Sequence, residues 1–347
     1  MTPDARAAAV LEAAVTDGAF PGAAAEMGSM SGALWQHAAG RLTYEAAAPP
    51  VGGDTIYDLA SLTKVIATTS LAMRLAGSAA LDLDARVSTW MPEWQEGAFR
   101  DVRVRDLLEH ASGLAAWLPL FREHSGRDEF RRAIAALAPD YPPRTKSIYS
   151  DLGFIVLGHV IESAGGGGLG EMFDAFREEA ALPAAIAYGV TAGNAAPTEF
   201  DPWRGRIAAG EVHDENAAAL GGVAPHAGLF GTAASVGAFA RLALRTFHHD
   251  TALGTPEAME RFATRSTVPG SSRALGWDTM LVSSSCGERM SAEAIGHTGF
   301  TGTSLWIDPT RDRYYVLLSN RVHPTRENNK IRQVRRAFHD ALAKIEN

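Results

Sequence analysis

Ser61 and Lys64, in the segment Ser-Leu-Thr-Lys, are the residues with the clearest chemical potential. The segment opens a run that predicts a helix from Ser61 to about Ala76, closed by Gly77. Residues three apart lie on one helix face, so the two side chains are predicted to be neighbours near the positive end of the helix dipole. A serine becomes a good nucleophile when a base takes its proton, and a buried lysine can do this. The same spacing also occurs in capped helices that carry a surface lysine.

Two further segments extend this pair. Ser-Ile-Tyr-Ser-Asp, which contains Tyr149, precedes a predicted helix, and Gly-His-Thr-Gly-Phe-Thr-Gly, which begins at Gly296, precedes a predicted strand. Tyr149 follows Ser61 by 88 residues, and His297 follows Tyr149 by 148. This order of motifs resembles the class C-like branch of the serine β-lactamase and penicillin-binding-protein superfamily, which includes family VIII carboxylesterases, D-aminopeptidases and DD-peptidases. The likeness covers roughly residues 20–345 and includes the segments 57–64, 104–114 and 226–233.

The resemblance implies a role for each motif residue. Ser61 would be the acylated nucleophile, and Lys64 and Tyr149 would transfer protons. Either Tyr149, as a phenolate beside a charged Lys64, or a neutral Lys64 would be the general base. The backbone N–H groups of Ser61 and Phe300 would form the oxyanion hole. The residues expected to contact substrate are Asp151, His297, Thr298, Gly299 and Arg321, and neither a cofactor nor a metal is expected.

Three of these expected substrate contacts need comment. Asp151 stands where most β-lactamases and DD-peptidases carry Asn; a carboxylate cannot donate to a substrate carbonyl, and it would keep Lys64 protonated. Alternatively, Asp151 caps the following helix. His297 stands where Lys is usual, which predicts a charge that titrates near neutral pH. Arg321 would then supply a fixed cation, or it is an exposed arginine at the end of a strand.

The predicted activity is that of a serine hydrolase working through an acyl-enzyme on Ser61, with a small-molecule acyl substrate. A carboxylesterase acting on short-chain esters is favoured because of Asp151, the absence of an export signal and the absence of a disulfide. The alternatives are a β-lactamase or D-amino-acid peptidase, and a non-catalytic penicillin-binding or scaffold homologue. The polar loop 210–216 is expected either to border the pocket or to form a structural hydrogen-bond network. Candidate walls for an acyl group are Trp117, Tyr141, Trp203 and Phe300.

Composition excludes several other classes. The 347 residues carry a formal net charge of −8, with 28 Arg and only four Lys (Lys64, Lys146, Lys330 and Lys344) and no basic stripe, which argues against nucleic-acid binding. No apolar run approaches the roughly 18–20 residues of a membrane span. Cys286 is the only cysteine, so no intrachain disulfide can form. The N-terminus lacks the pattern of a secretion signal, which predicts a cytoplasmic protein, although a chain trimmed of its signal would look the same.

Two other motifs are interpreted as structural. The segment 165–170 contains Gly-x-Gly-x-x-Gly, but it follows a predicted helix rather than a strand, so we interpret it as a connection between helices. His248 and His249, followed by Asp250, are adjacent in sequence and would point in different directions on a helix. We therefore interpret them as a polar helix end rather than a metal site.

The elements that must position these residues form an α+β pattern. Helices are predicted at 3–16, 82–91, 103–110, 127–137, 151–164, 233–246 and from about 326. Strands are predicted at 23–27, 33–38, 274–282, 302–308 and 313–319, and a long ordered loop at 183–228. Strands at both ends predict one antiparallel sheet flanked by helices, with an inserted helical lobe. The sheet region would comprise residues 1–76 and 228–347, and the lobe and active-site loops residues 77–227.

Overall fold

A computed structural model describes residues 2–190 and 194–343, so Lys344 lies outside the described residues. Its strands, numbered along the chain, are β1 (Gly22–Ser29), β2 (Gly32–Gly40), β3 (Tyr57–Asp58), β4 (Ala187–Tyr188), β5 (Phe200–Asp201), β6 (Arg206–Ile207), β7 (Leu229–Gly231), β8 (Asp278–Thr279), β9 (Ile295–Thr298), β10 (Ser304–Asp308) and β11 (Arg313–Ser319). Six of them form an antiparallel sheet in the order β2-β1-β11-β10-β9-β8. Strands from the two ends of the chain pair at β1 and β11, as predicted.

Helices cover both faces of this sheet. They are α1 (Pro3–Thr16), α2 (Ser70–Gly77), α3 (Val104–Leu108), α4 (Gly126–Ala135), α5 (Asp151–Gly165), α6 (Leu169–Glu179), α7 (Glu215–Ala219), α8 (Ala233–Thr246), α9 (Pro256–Ala263) and α10 (Ile331–Leu342). Strand β11 shows the two-sided burial directly, because successive side chains of a strand point to opposite faces. Tyr315 and Leu317 enter the core under α1 and α10, whereas Tyr314, Val316 and Leu318 enter the core that includes α8.

The helical lobe is built around α5, which contacts α2, α3, α4 and α6. Gly165 ends α5 and Leu169 begins α6, so the glycine-rich segment is a helix–helix connection, as predicted. Within residues 2–190 and 194–343, no single helix has the length and apolar character needed to cross a membrane; α5 and α6 reach that length only together, across a bend of 71°.

One predicted element is wrong, and two others are shorter than predicted. Residues 82–91 form turns with a 3₁₀ segment at Val87–Thr89 instead of the predicted helix. The reason is that Asp82 Oδ1 accepts from the backbone N–H of Asp84, and the carbonyl of Leu83 accepts from the backbone N–H of Arg105. The Leu83 carbonyl is therefore not available for a helical hydrogen bond. The strand predicted at 274–282 is reduced to β8, after a turn in which Gly276 has φ +83°. The C-terminal helix begins at Ile331 rather than 326, because the side chains of Arg321 and Glu199 bind the backbone of Arg326.

Candidate active site

Ser61 lies between β3 and the helical segment that leads into α2. Asp58 Oδ1 accepts from the backbone N–H of Ala60 at 2.7 Å, and Ala60 adopts a left-handed φ of +48°. A left-handed alanine is strained, so this turn is imposed by its surroundings. The chain then enters a helix whose first part, Lys64–Thr69, is a π-helix and whose second part is α2. Ser61 thus sits at the N-terminal end of the helix, where the dipole favours a developing negative charge.

Lys64 is fully buried, and its ammonium has two hydrogen-bond acceptors and one ion-pair partner. The acceptors are Ser61 Oγ at 3.1 Å and the carbonyl of His226 at 2.9 Å, and the ion-pair partner is Asp151 Oδ1 at 2.6 Å. Burial lowers the pKa of Lys64, but the charges and hydrogen bonds of Asp151 and Tyr149 outweigh it, and the net pKa is raised. Lys64 is therefore protonated at rest, as expected from Asp151.

Tyr149 is the second group on the nucleophile. Its hydroxyl lies 2.7 Å from Ser61 Oγ, and its ring centroid lies 4.9 Å from Lys64 Nζ. Burial and the charge of Asp151 raise the pKa of Tyr149 to about 12, since the ammonium of Lys64 offsets them only in part. The resting phenolate, one of the two alternatives for the base, is therefore not supported at neutral pH.

His110 positions the Tyr149 segment and was not singled out by sequence reasoning. Its Nδ1 accepts from the backbone N–H of Ser150 at 3.0 Å, and its carbonyl accepts from that of Ile148 at 2.9 Å. The His110 ring packs against Tyr149 with centroids 4.7 Å apart. Its place in the segment 104–114, which resembles the superfamily, was the available signal.

Asp151 is the first residue of α5, and the helix is capped by its neighbour. Ser150 Oγ accepts from the backbone N–H of Gly153 at 3.0 Å, which is the N-cap bond. The expectation that Asp151 serves as the helix cap is therefore wrong. Its carboxylate is instead paired with Lys64 and also borders the pocket.

The second predicted oxyanion donor lies in residues 299–303, here called the oxyanion loop. Thr301 Oγ1 donates to Asp58 O at 2.8 Å, and Thr303 Oγ1 donates to Leu59 O at 3.0 Å. These two hydrogen bonds hold the loop against the segment before Ser61. Gly299 leaves no room for a side chain, because a Cβ there would lie 2.6 Å from Leu59 O. In the described part of the chain, the backbone N–H groups of Ser61 and Phe300 have no acceptor. Two free donors next to one nucleophile fit an oxyanion hole.

His297 is buried in β9, with its ring centroid 5.7 Å from that of Tyr149. Its Nδ1 donates to the carbonyl of Thr298 at 2.8 Å. Burial, then the charges of Arg273 and Lys64, hold the pKa of His297 well below its usual value. The prediction of a charge titrating near neutral pH is therefore wrong: His297 is neutral there. Thr298, half-buried, ends β9 beside it.

Arg321 is neither an exposed strand-end residue nor free to bind a substrate anion. It is 5% exposed, and its guanidinium donates to the carbonyls of Phe300, Arg326 and Asn328 at 2.8–2.9 Å. The guanidinium also stacks 4.4 Å from the centroid of the Phe300 ring. Arg321 is therefore neither a cation for the substrate nor an exposed arginine, as had been expected. Its guanidinium instead holds the oxyanion loop through the carbonyl of Phe300.

A cavity of about 310 Å³ opens beside Ser61. Its lining combines aromatic, acidic and histidine side chains: Ala60, Ser61, Trp117, Tyr149, Asp151, His213, Asp214, Glu215, His226, Ala227, Phe300 and Arg326. Trp117 and Phe300 form walls as predicted, whereas Tyr141 is buried with its hydroxyl on the carbonyl of His110, and Trp203 packs at the surface against Phe121. The walls of the cavity are thus only partly those that the sequence suggested.

The loop 210–216 fulfils both of its predicted alternatives. His213, Asp214 and Glu215 border the cavity, while the side chain of Asn216 bonds the backbone of Leu118 and Phe121. Asp214 Oδ1 accepts from His226 Nε2 at 2.9 Å. Burial raises the pKa of Asp214, but the pairing with His226 and the hydrogen bond from the backbone N–H of Ala217 lower it by more. The net pKa is below its usual value, so this carboxylate is ionised.

Two cavity residues were missed altogether. Arg326 was expected inside a helix, and it pairs instead with Glu199 and, at 2.6 Å, with Glu215. His226 was noted only as part of a motif, although its carbonyl binds Lys64. Neither carried a signal of its own, since Arg326 lay in a run that looked helical and His226 contacts Lys64 through its backbone carbonyl.

Ser61 and Tyr149 line one cavity, Lys64 lies buried with its Nζ 3.1 Å from Ser61 Oγ, and the N–H groups of Ser61 and Phe300 are free within the described residues. These are the groups that acyl transfer on a serine requires. The family model described as Beta-lactamase matches residues 7–339, and the chain belongs to this family of serine hydrolases.

Comparison with known proteins shows similarity in sequence to one protein and in fold to two others. The chain is 30% identical over 303 residues to the N-acetylmuramyl-L-alanine amidase of Bacillus subtilis (strain 168), covering 78% of this chain and 68% of that protein. In fold it is similar to EstCE1, a hydrolase with promiscuous acyltransferase activity (TM-score 0.79, 20% identity, 99% of this chain and 98% of that one). It is also similar to the class C β-lactamase of Rhodobacter sphaeroides (TM-score 0.75, 18% identity, 97% and 98% covered).

Proposed function

We propose that this protein is a carboxylesterase that hydrolyses short-chain acyl esters through an acyl-enzyme on Ser61. The observation that carries the choice of an ester is the Asp151 carboxylate at the pocket wall, 2.6 Å from Lys64. An asparagine amide there could donate to the carbonyl of a peptide or lactam side chain, and an ionised carboxylate cannot. The cavity of about 310 Å³, with Trp117 and Phe300 as walls, suits a small acyl group.

Acylation begins with attack of Ser61 Oγ on the ester carbonyl carbon. Lys64 and Tyr149 both hold their protons at rest, and Asp151 carries the negative charge of the cluster. The Ser61 proton therefore passes to Lys64 Nζ while Lys64 gives a proton to Asp151 Oδ1. The carbonyl oxygen becomes an oxyanion between the N–H groups of Ser61 and Phe300.

The tetrahedral intermediate then collapses and the ester C–O bond breaks. Tyr149, 2.7 Å from Ser61 Oγ, gives its proton to the leaving alkoxide and recovers one from the Lys64–Asp151 pair. Water attacks the acyl-enzyme by the same route, and the proton returns to Ser61 Oγ. Each proton taken from the nucleophile is thus delivered to a leaving oxygen, as general acid–base catalysis requires.

A second candidate is an amidase that acts on a lactam or a D-amino-acid peptide. The observation that favours it is the 29% identity over 309 residues to a protein of Escherichia coli (strain K12) described as a putative D-alanyl-D-alanine carboxypeptidase. Such a substrate would use the same nucleophile and the same oxyanion hole.

Parallel assays separate the two candidates. We expect p-nitrophenyl acetate and butyrate to be hydrolysed and nitrocefin to be a poor substrate. Turnover of nitrocefin with none of any ester would overturn the esterase proposal.

Active-site labelling tests the nucleophile. A fluorophosphonate should form a covalent adduct on Ser61, seen by peptide mass spectrometry, and Ser61→Ala should reduce ester hydrolysis by about 10³-fold or more. Ser78→Ala is a matched control, because this serine caps the same helix with an exposed bond to Leu75 O. Full activity in Ser61→Ala, or an adduct at another residue, would refute the mechanism.

A further inference from the structure

Arg335 is a buried cation with no carboxylate partner. It lies on α10 with 8% of its surface exposed, and within residues 2–190 and 194–343 no Asp or Glu forms an ion pair with it. Arg321 and Arg332, which are also cationic, are the charged groups that act on it. Burying an unpaired charge is costly, so a group of this kind calls for an explanation beyond packing.

The bonds of Arg335 lead to the oxyanion loop. Its Nη2 donates to the carbonyl of Gly299 at 2.6 Å and to the carbonyl of Thr303 at 2.8 Å. The carbonyl of Gly299 belongs to the same peptide group as the N–H of Phe300. A hydrogen bond from a cation to the oxygen of a peptide group draws charge toward that oxygen, which makes the N–H on the other side of the group a stronger donor.

We propose that Arg335 is a positioning residue that orients and polarises the Gly299–Phe300 peptide group, so that the Phe300 N–H binds the oxyanion of the transition state more strongly. The inference rests on the proposed function, since it requires an acyl-enzyme on Ser61. Arg335 bonds the carbonyl side of this peptide group, opposite the Phe300 N–H, and so it would act without touching the substrate.

Other contacts separate this electrostatic role from simple support. The oxyanion loop is also held by the hydroxyls of Thr301 and Thr303, which bond the segment before Ser61, and by Arg321, which bonds the Phe300 carbonyl. The loop therefore keeps three anchors when Arg335 is replaced. Burial and the neighbouring arginines lower the pKa of Arg335 to about 9, which leaves it charged at neutral pH.

The carbonyl stretch of an acyl-enzyme tests the inference, because it moves to lower wavenumber as the oxyanion hole binds more strongly. Wild type, Arg335→Met and Arg335→Lys would be acylated with p-nitrophenyl trimethylacetate carrying a ¹³C carbonyl and compared by difference infrared spectroscopy. We expect Arg335→Met to shift the band to higher wavenumber and to lower kcat about 10-fold, with KM changed less than twofold. Arg335→Lys, which keeps a cationic donor, should restore part of both.

Arg336→Met is the matched control. Arg336 is the next residue of α10, and its guanidinium also bonds two carbonyls, those of Val282 and Ser284, away from the pocket. We expect it to leave the band and kcat unchanged, and thermal unfolding of each variant would show that it is folded.

Two results would overturn the inference. One is a wild-type band position in both Arg335 variants, whether or not kcat falls, because a fall in kcat without a shift indicates structural support only. The other is a shift in Arg336→Met as large as that in Arg335→Met. A wild-type protein that forms no labelled ester on Ser61 would instead overturn the proposed function, and the inference with it.

Discussion

Replacing Gly299 by alanine should impair catalysis while leaving substrate binding nearly intact. The new Cβ would overlap Thr303 Oγ1 and would lie 2.6 Å from Leu59 O and 3.2 Å from Ala60 Cβ. Ordinary contact begins near 3.4 Å, so the oxyanion loop must move away from Leu59 by about 0.8 Å. This movement widens the gap between the two N–H donors, since Leu59 directly precedes the turn that carries Ser61.

The size of the effect follows from that displacement. A misplacement of about 1 Å costs on the order of 10²-fold in rate, and loss of one oxyanion donor costs about 10²–10³-fold. We therefore expect kcat of Gly299→Ala to fall about 10²-fold. KM should change little, because the donors act mainly on the charge that develops in the transition state. Overpacking of this kind costs about 1–3 kcal/mol of stability.

Steady-state hydrolysis of p-nitrophenyl butyrate measures kcat and KM, and urea unfolding measures the stability. Gly53→Ala is the control, because a Cβ at Gly53 meets open space. A folded Gly299→Ala protein with kcat within threefold of wild type would refute the oxyanion-hole assignment. A rise in KM with kcat unchanged would refute it equally.

The remaining predictions concern Asp151 and the buried histidines. Asp151→Asn should lower ester kcat at pH 7 about 10²-fold, because the proton acceptor is lost, and should raise the ratio of nitrocefin to ester hydrolysis; an unchanged ratio would contradict a role of Asp151 in substrate choice. His297→Gln should keep the shape of the pH profile of kcat/KM between pH 6 and 8, and loss of a step there would show that His297 titrates. His110, His297 and His339 have pKa values below 6.5, that of His339 at about 3, because they are buried. Below pH 6.5 the unfolded chain binds protons that the folded chain does not. As the pH falls, the free energy of unfolding should therefore decrease by up to about 1.4 kcal/mol per pH unit for each histidine. Urea unfolding at pH 7 and pH 5 measures this decrease, and equal stability at the two pH values would contradict their burial as neutral groups.

Sequence reasoning singled out residues that the structure brings together at the candidate site. Ser61 and Lys64 are three residues apart on one helical turn, so local geometry alone brings them together. Tyr149 is 88 residues away from Ser61 and could be placed beside it only through the resemblance to a known family. The central sheet was predictable because strands from both chain ends bracket a helical region.

The remaining features depend on contacts that no local pattern encodes. His297 was expected to titrate near neutral pH, and only its burial beside Arg273 and Lys64 shows that it does not. Arg321 was expected to be a fixed cation for the substrate or an exposed arginine, and Arg335 was not singled out, yet both are buried against carbonyls of the oxyanion loop. The sequence contains these residues, but the partners that define their roles come from segments far along the chain.

The scarcity of lysine can now be related to what each cation has to do. In the proposed mechanism Lys64 accepts and releases a proton between Ser61 and Asp151, and its single nitrogen donates to Ser61 Oγ and to the His226 carbonyl while it pairs with Asp151. An arginine there would keep its charge throughout the reaction and could not relay a proton. The role proposed for Arg335 has the opposite requirement, since it needs a fixed charge that bonds two carbonyls without titrating near neutral pH. A chain rich in arginine thus has a lysine at the position where the proposed mechanism needs an exchangeable proton.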